Sequence, residues 1–76
     1  MRLGFELAKA GEAQLSIFDV SGRPVASVFH GRREAGAFDL RWDGRDPAGR
    51  PVGEGIYFAR RSGNEGSVMS RVVMLN

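Results

Sequence analysis

The sequence predicts an all-β sandwich of about six or seven short antiparallel strands. Apolar residues alternate with polar ones at a period of two, which is the pattern of strands with one face in a core. Groups of turn-forming residues separate these segments at intervals of about 8–12 residues, as they do in β-sandwiches. The chain of 76 residues also contains 11 glycines and has no segment with the pattern of an amphipathic helix.

Each expected strand is marked by its own apolar residues. The third segment, residues 25–29, breaks strict alternation at Val28 and Phe29, and this break predicts a β-bulge. In chain order, the strands are indicated by Leu3, Phe5 and Leu7; by Leu15 and Ile17; by residues 25–29; by Phe38, Leu40 and Trp42; by residues 56–60; and by residues 68–75.

Turn signals fall between the strands, and no internal repeat is apparent. Turns are expected at residues 10–12 and 21–24, a longer charged connection at 31–36, and a hairpin at 62–66. The connection after Trp42 is rich in Gly, Asp and Pro, and it predicts a tightly ordered link between two strands rather than a catalytic loop. Trp42 itself is expected to be buried, with its indole N–H bonded to a carbonyl group.

Several apolar side chains fall opposite the expected core face. Two interpretations of them stay open: bulges return these residues to the core, or the outer surface carries an apolar patch that contacts another domain. Under strict alternation the residues concerned are Phe18, Val20, Tyr57, Val73 and Leu75.

Composition limits the possible function classes. The chain has no cysteine, which excludes disulfides and thiolate metal ligands. Its 11 basic and 9 acidic residues give a formal net charge of only +2, and they are interleaved, which disfavours nucleic-acid binding. No apolar segment reaches the roughly 20 residues of a membrane span, so no membrane insertion is expected. We expect a single domain over residues 1–76 that uses no cofactor.

Candidates for catalysis or metal binding are few. His30 is the only histidine, and we expect it to lie exposed at a strand end, with no partner at zinc-ligand spacing. Asp43 and Asp46 could offer oxygen ligands to calcium, but each also fits a turn in which the carboxylate accepts backbone N–H groups. We expect the turn role, with Gly44 and Gly49 supplying positive φ angles.

Three ordered segments resemble the FlgD-type Ig-like domain. Residues 15–25 are similar to its opening pattern V-x-I-Y-D-x-x-G-R-x-V, residues 36–46 to G-x-H-x-V-x-W-D-G-R-D, and residues 49–58 to G-x-x-V-x-x-G-V-Y-F. This resemblance extends over nearly the whole chain and implies an Ig-like, fibronectin III-like sandwich. The C-terminal sorting domains of type IX secretion share much of this pattern. The motif residues, which we take as structural, are Asp19, Gly22, Trp42, Asp43, Gly44, Asp46, Gly49, Gly55 and Tyr57.

The resemblance implies a non-catalytic accessory module, placed at the C-terminus of a longer exported bacterial protein that is secreted or displayed on the cell surface. Its first implied role is sorting or anchoring, through contact with the secretion machinery or a neighbouring domain of the parent chain. One alternative is a structural domain in flagellar hook assembly. Another is a carbohydrate- or calcium-binding module that uses Trp42, Tyr57, Asp43 and Asp46. The residues expected to contact a protein partner are Val68, Arg71, Val73 and Leu75.

Overall fold

The computed structural model describes residues 1–64 and 66–75 and confirms the all-β fold class. No helix occurs in these two ranges, so none in that part of the chain could span a membrane. The strands are β1 (Arg2–Leu7), β2 (Gly11–Asp19), β3 (Pro24–Arg33), β4 (Gly36–Arg41), β5 (Gly55–Gly63) and β6 (Gly66–Met74).

The strands form two antiparallel sheets. One sheet pairs β1 with β4, and the other has the order β3-β2-β5-β6. The chain passes between the sheets after β1, after β3 and after β4, whereas β2–β3 and β5–β6 are neighbours within one sheet. Each of the four terminal strands, β1, β3, β4 and β6, therefore has one edge without a partner strand among the described residues.

The core lies between the two sheets and is centred on β2. Leu15 and Ile17 are fully buried there, and β1 alternates exposed and buried residues along its whole length. Burying a side chain of this size contributes about 1.5–3 kcal/mol, so these two positions are among the main sources of stability. The buried apolar residues are Leu3, Phe5, Leu7, Ala13, Leu15, Ile17, Trp42, Ala59 and Val72.

The bulge predicted in the third strand is confirmed. Leu15 and Ser16 are adjacent on β2, but their partners on β3 are Phe29 and Ser27, so Val28 is an extra residue. A second shift of register occurs further along the same pair of strands. The extra residue lets Val28 pack against the core beside Phe29, although strict alternation would point the two to opposite faces.

The connection predicted at residues 31–36 is shorter than expected, because β3 continues to Arg33 and only two residues separate it from β4. Arg33 lies opposite Gly11 in the ladder. Its guanidinium stands 4.6 Å from the centroid of the Phe29 ring and 4.8 Å from that of Phe38. Pairing with β2 and contact with two aromatic rings therefore hold this charged segment in a strand.

Two smaller expectations also need correction. The turn placed at residues 10–12 lies before Gly11, since Gly11 and Glu12 are already paired with β3. Trp42, taken as a strand residue, follows the end of β4 by one position. The hairpin at 62–66 is confirmed by the pairing of Gly63 with Gly66; Glu65, between them, lies outside the described residues.

Candidate functional site

The loop between β4 and β5 is held together by its own backbone. The N–H of Asp46 donates to the carbonyl of Arg50 at 2.9 Å, and the N–H of Val52 donates to the carbonyl of Gly44 at 2.8 Å. Arg45 and Pro51 form a bridge between these bonds. The connection is therefore a small irregular hairpin whose polar groups are used internally.

Trp42 packs under the loop between β4 and β5, on the core side, and holds it in place. Its side chain is only 4% exposed, as predicted, and its indole Nε1–H donates to the carbonyl of Arg45 at 3.1 Å. Its ring meets that of Tyr57 edge to face, with centroids 6.2 Å apart at an angle of 73°. The Tyr57 hydroxyl donates to the carbonyl of Gly53 at 2.7 Å. The two aromatic residues thus fix the two ends of the loop, and Trp42 presents no open ring face to a sugar.

The carboxylates of Asp43 and Asp46 make the turns expected from the sequence. Asp43 Oδ1 accepts the backbone N–H of Arg45 at 3.0 Å. Asp46 Oδ1 accepts the N–H groups of Ala48 and Arg50, each at 3.0 Å. Within residues 1–64 and 66–75, no group of three or more His, Asp or Glu side chains could hold a metal ion. The geometry of these two carboxylates is that of turn formation.

The same turn is built a second time between β2 and β3. Asp19 Oδ1 accepts the N–H groups of Ser21 and Arg23 at 2.9 and 3.0 Å, as Asp46 Oδ1 does in the later turn. In both turns the aspartate N–H bonds to the carbonyl four residues on, and its carbonyl accepts the N–H three residues on. Gly22 and Gly49 occupy equivalent positions with φ angles of +87° and +84°.

This equivalence reveals a repeat that the sequence analysis missed. Residues 19–25 and 46–52 both read D-x-x-G-R-P-V, and a search for short motifs at equal spacing would have found it. Each part of the motif has a local reason: the aspartate closes the turn, the glycine supplies the positive φ angle, and the proline cannot donate a backbone hydrogen bond. The repeat is one of turn chemistry and not of whole strands.

Asp19 has the one clear electrostatic signature in this region. The Ser21 hydroxyl donates to its carboxylate at 2.6 Å, and this bond, followed by those from the backbone of Arg23 and Ser21, lowers the pKa of Asp19 below its ordinary value of 3.8. Each of these bonds favours the charged form. The turn between β2 and β3 is therefore matched to an ionised aspartate.

Two motif glycines lie at the ends of the loop. Gly44 is buried with a φ angle of +75°, and a Cβ atom there would lie 3.0 Å from the terminal methyl group of Met74. Gly55 begins β5 with a φ angle of +148° and lies opposite Met74 in the ladder with β6. Both positions favour glycine because of their backbone conformation.

The four residues expected to contact a partner do not share one surface. In β6, Val68 pairs with Arg61 on the side of the sheet that faces β1, whereas Arg71 and Val73 lie on the opposite side. Leu75 follows the end of β6 and is 79% exposed. The structure therefore separates Val68 from Arg71 and Val73.

Arg61 is a residue that sequence reasoning did not single out. Its Nε–H donates to the carbonyl of Gly4 at 2.6 Å, and its Nη1–H donates to the Ser70 hydroxyl at 2.7 Å. It lines an open cavity of about 760 Å³ between β1 and the β5–β6 hairpin. No local pattern could reveal this role, because Gly4 and Arg61 are 57 positions apart.

The sequence model of the FlgD Ig-like domain family matches residues 1–67 of the chain. The chain belongs to this FlgD Ig-like family. The fold is also similar to that in the crystal structure of FlgD from P. aeruginosa, with a TM-score of 0.69 and 21% sequence identity. No curated protein matches the chain.

The similarity to the P. aeruginosa protein covers 96% of this chain and 58% of that one, so the chain spans less than two thirds of the length of that FlgD structure. At this identity the likeness concerns the fold. The family match contains both D-x-x-G-R-P-V turns and ends at the start of β6. The family match therefore does not extend to Arg71, Val73 or Leu75.

Proposed function

We propose that this FlgD-type Ig-like domain is a non-catalytic structural domain that takes part in flagellar hook assembly. The observation that carries the proposal is the family match over residues 1–67, together with a fold similar to that of FlgD. Among the hypotheses raised by the sequence, the flagellar one has this support, whereas neither comparison gives a sorting domain of type IX secretion.

The internal bonding of the loops supports a structural role. Asp19, Asp43 and Asp46 all direct a carboxylate oxygen at backbone N–H groups of their own turns. The aromatic pair below the β4–β5 loop is occupied by contacts within the domain. Groups of these types are the ones that a catalytic or sugar-binding site would use, and here they stabilise turns.

Under this proposal the domain is one module of a longer exported protein, acts outside the cytoplasm, and has protein partners. A sorting or anchoring role remains the alternative, because it would use the same exported location and the same C-terminal strand. The two differ in what happens to the parent protein when the domain is removed. Loss of a sorting signal stops export, whereas loss of a structural domain leaves export intact.

The test is an in-frame deletion of the codons for residues 1–76 in the bacterium that encodes the chain. We expect cells that are non-motile and lack complete hooks in electron micrographs, while the truncated parent protein is still found outside the cytoplasm. Re-expression of the intact gene should restore hooks. Normal hooks with a parent protein retained inside the cell would contradict the proposal and favour sorting; normal hooks with normal export would contradict both.

A further inference from the structure

The outer face of the four-stranded sheet carries an apolar patch that runs across three strands. Phe18 of β2 pairs with Phe58 of β5, and Ile56 of β5 pairs with Val73 of β6. Residues that lie directly opposite one another in a ladder project to the same face, and so do residues two apart in one strand. Phe18, Ile56, Phe58 and Val73 therefore share one surface, which we call the outer patch.

The outer patch is separate from the core. Ile56 is 43% exposed and Val73 is 51% exposed, and the two phenylalanines are half-buried without packing against the core cluster. Met69, 57% exposed, extends the patch along β6. Of the side chains that strict alternation placed opposite the core, Tyr57 packs against the core, whereas Phe18 and Val73 stay on the outer face. Ile56 and Phe58, expected on the core face, lie on the outer face instead.

The charged strand residues next to the outer patch are both arginines. Arg71 lies opposite Phe58, and Arg60 lies opposite Met69, so two exposed guanidinium groups adjoin the apolar side chains. Among the described strand residues of this face, the only carboxylate is that of Glu12, which lies opposite Arg32. Glu12 is six residues from Phe18 along β2, or roughly 20 Å at about 3.3 Å per residue. The patch itself is apolar and cationic.

From this combination we infer that the outer patch binds a polypeptide segment that carries aliphatic side chains together with carboxylates. The aliphatic groups cover Phe18, Phe58, Ile56 and Val73, and the carboxylates lie against Arg60 and Arg71. Apolar contact supplies most of the binding free energy in such an interface, and complementary charge supplies orientation and selectivity. This inference goes beyond the hook-assembly proposal and does not depend on it.

Charge argues against two other occupants of the outer patch. A second copy of the chain, related by a two-fold axis, would bring four arginines from Arg60 and Arg71 into one interface, and their like charges would oppose association. A lipid surface is usually recognised by clusters of about four to eight basic residues, and the patch has two beside its apolar centre. An acidic polypeptide segment satisfies the two arginines without either difficulty.

A selection from a library of random peptides displayed on phage, with the chain of residues 1–76 as bait, tests this inference. We expect the selected peptides to combine aliphatic residues with Asp or Glu. A synthetic peptide with the selected consensus should perturb the backbone NMR signals of Phe18, Ile56, Phe58 and Val73 in the ¹⁵N-labelled chain. Added salt should weaken its binding, because the arginines and carboxylates attract each other across the interface.

Matched variants separate the outer patch from the rest of the surface. Val73→Ser and Arg71→Glu should each weaken peptide binding by about tenfold or more, since each removes a central contact. Val68→Ser alters an exposed valine on the other side of β6, and Arg50→Glu reverses an exposed charge in a turn; neither should change binding by more than about twofold. All four positions are exposed, so folding should be retained and can be checked by circular dichroism.

Several results would overturn the inference. These are the absence of any enriched peptide, enrichment of basic or uncharged peptides, and binding that Val73→Ser and Arg71→Glu leave unchanged. Dimerisation that shifts the same NMR signals would assign the outer patch to a second copy. Binding to vesicles of phosphatidylcholine and phosphatidylglycerol through those residues, without peptide binding, would assign it to a membrane surface.

Discussion

The side chain of Arg61 joins the two sheets of the sandwich by donating from Nε to the carbonyl oxygen of Gly4 at 2.6 Å. Gly4 belongs to β1, whose outer edge has no partner strand in the described part of the chain. The guanidinium therefore bonds a carbonyl that would otherwise be open to the backbone N–H of another strand. The same side chain bonds Ser70 on β6. One residue therefore spans the open side of the sandwich.

Arg61→Ala should lower the free energy of unfolding by about 1 kcal/mol, because it removes two charge-assisted hydrogen bonds at a partly exposed site. The measurement is the midpoint of urea unfolding followed by circular dichroism. Arg60→Ala is the matched control, since it removes the same side chain from the outer face and should stay within about 0.5 kcal/mol of wild type. Equal effects of the two substitutions would show that the bond to Gly4 contributes nothing.

Trp42→Ala should lower the free energy of unfolding far more than Arg61→Ala. Emptying a large buried aromatic site costs about 3–5 kcal/mol, against a total stability of roughly 4–11 kcal/mol for a domain of this length. The variant is therefore expected to be largely unfolded at 37 °C by far-UV circular dichroism. Trp42→Phe keeps an aromatic ring but loses the bond to Arg45, so its free energy of unfolding should lie between those of wild type and Trp42→Ala. A denaturation midpoint that barely moves in Trp42→Ala would contradict the anchoring role.

The repeated turn predicts equal and additive costs for two glycine substitutions. Gly22 and Gly49 have positive φ angles, and a methyl group added at either site would have no neighbouring atom within 4 Å. Gly22→Ala and Gly49→Ala should each cost about 1–2 kcal/mol for backbone conformation alone, and the double variant should show the sum. Gly53→Ala, where space is also open, is the control and should have little effect. Strong non-additivity would indicate that the two turns are coupled.

Stability should depend on pH through Asp19. Its pKa is lowered in the folded chain by the bonds from Ser21 and Arg23, so its contribution is fully present above the ordinary value of 3.8 and is lost as the pH falls through the lower folded value. Asp19→Asn should be less stable than wild type at pH 6, and the difference in melting temperature should shrink as the pH is lowered toward 2. Asp39→Asn changes the net charge equally without touching the turn. If both variants respond alike, the effect is one of net charge and not of the turn.

Calcium should not change the stability of the domain. Asp43 Oδ1 and Asp46 Oδ1 are bonded to backbone N–H groups of their own turns, and these bonds would compete with a cation. We expect the melting temperature to be the same in EDTA and in millimolar calcium. An increase of several degrees with calcium would move Asp43 and Asp46 to the class of metal ligands.

Local chemistry explains how much the sequence determined by itself. The period of two fixed the fold class and the positions of most strands, because alternation is a property of a single strand. The roles of Asp43 and Asp46 in turns, and the positive φ angles of Gly44 and Gly49, also follow from residues a few positions apart. The D-x-x-G-R-P-V repeat was equally open to sequence analysis, since it needs no knowledge of the fold.

The tertiary structure decided everything that depends on which strands meet. Alternation within one strand does not specify partners that are distant in the chain. Three features depend on such partners: the pairing of β1 with β4, the hydrogen bond from Arg61 to Gly4, and the continuation of β3 to Arg33. The outer patch depends on register, since a shift of one residue moves a side chain to the other face of a sheet. The sequence could therefore identify strands and turns, whereas only the packing of those strands placed Phe18 and Val73 together on an exposed face.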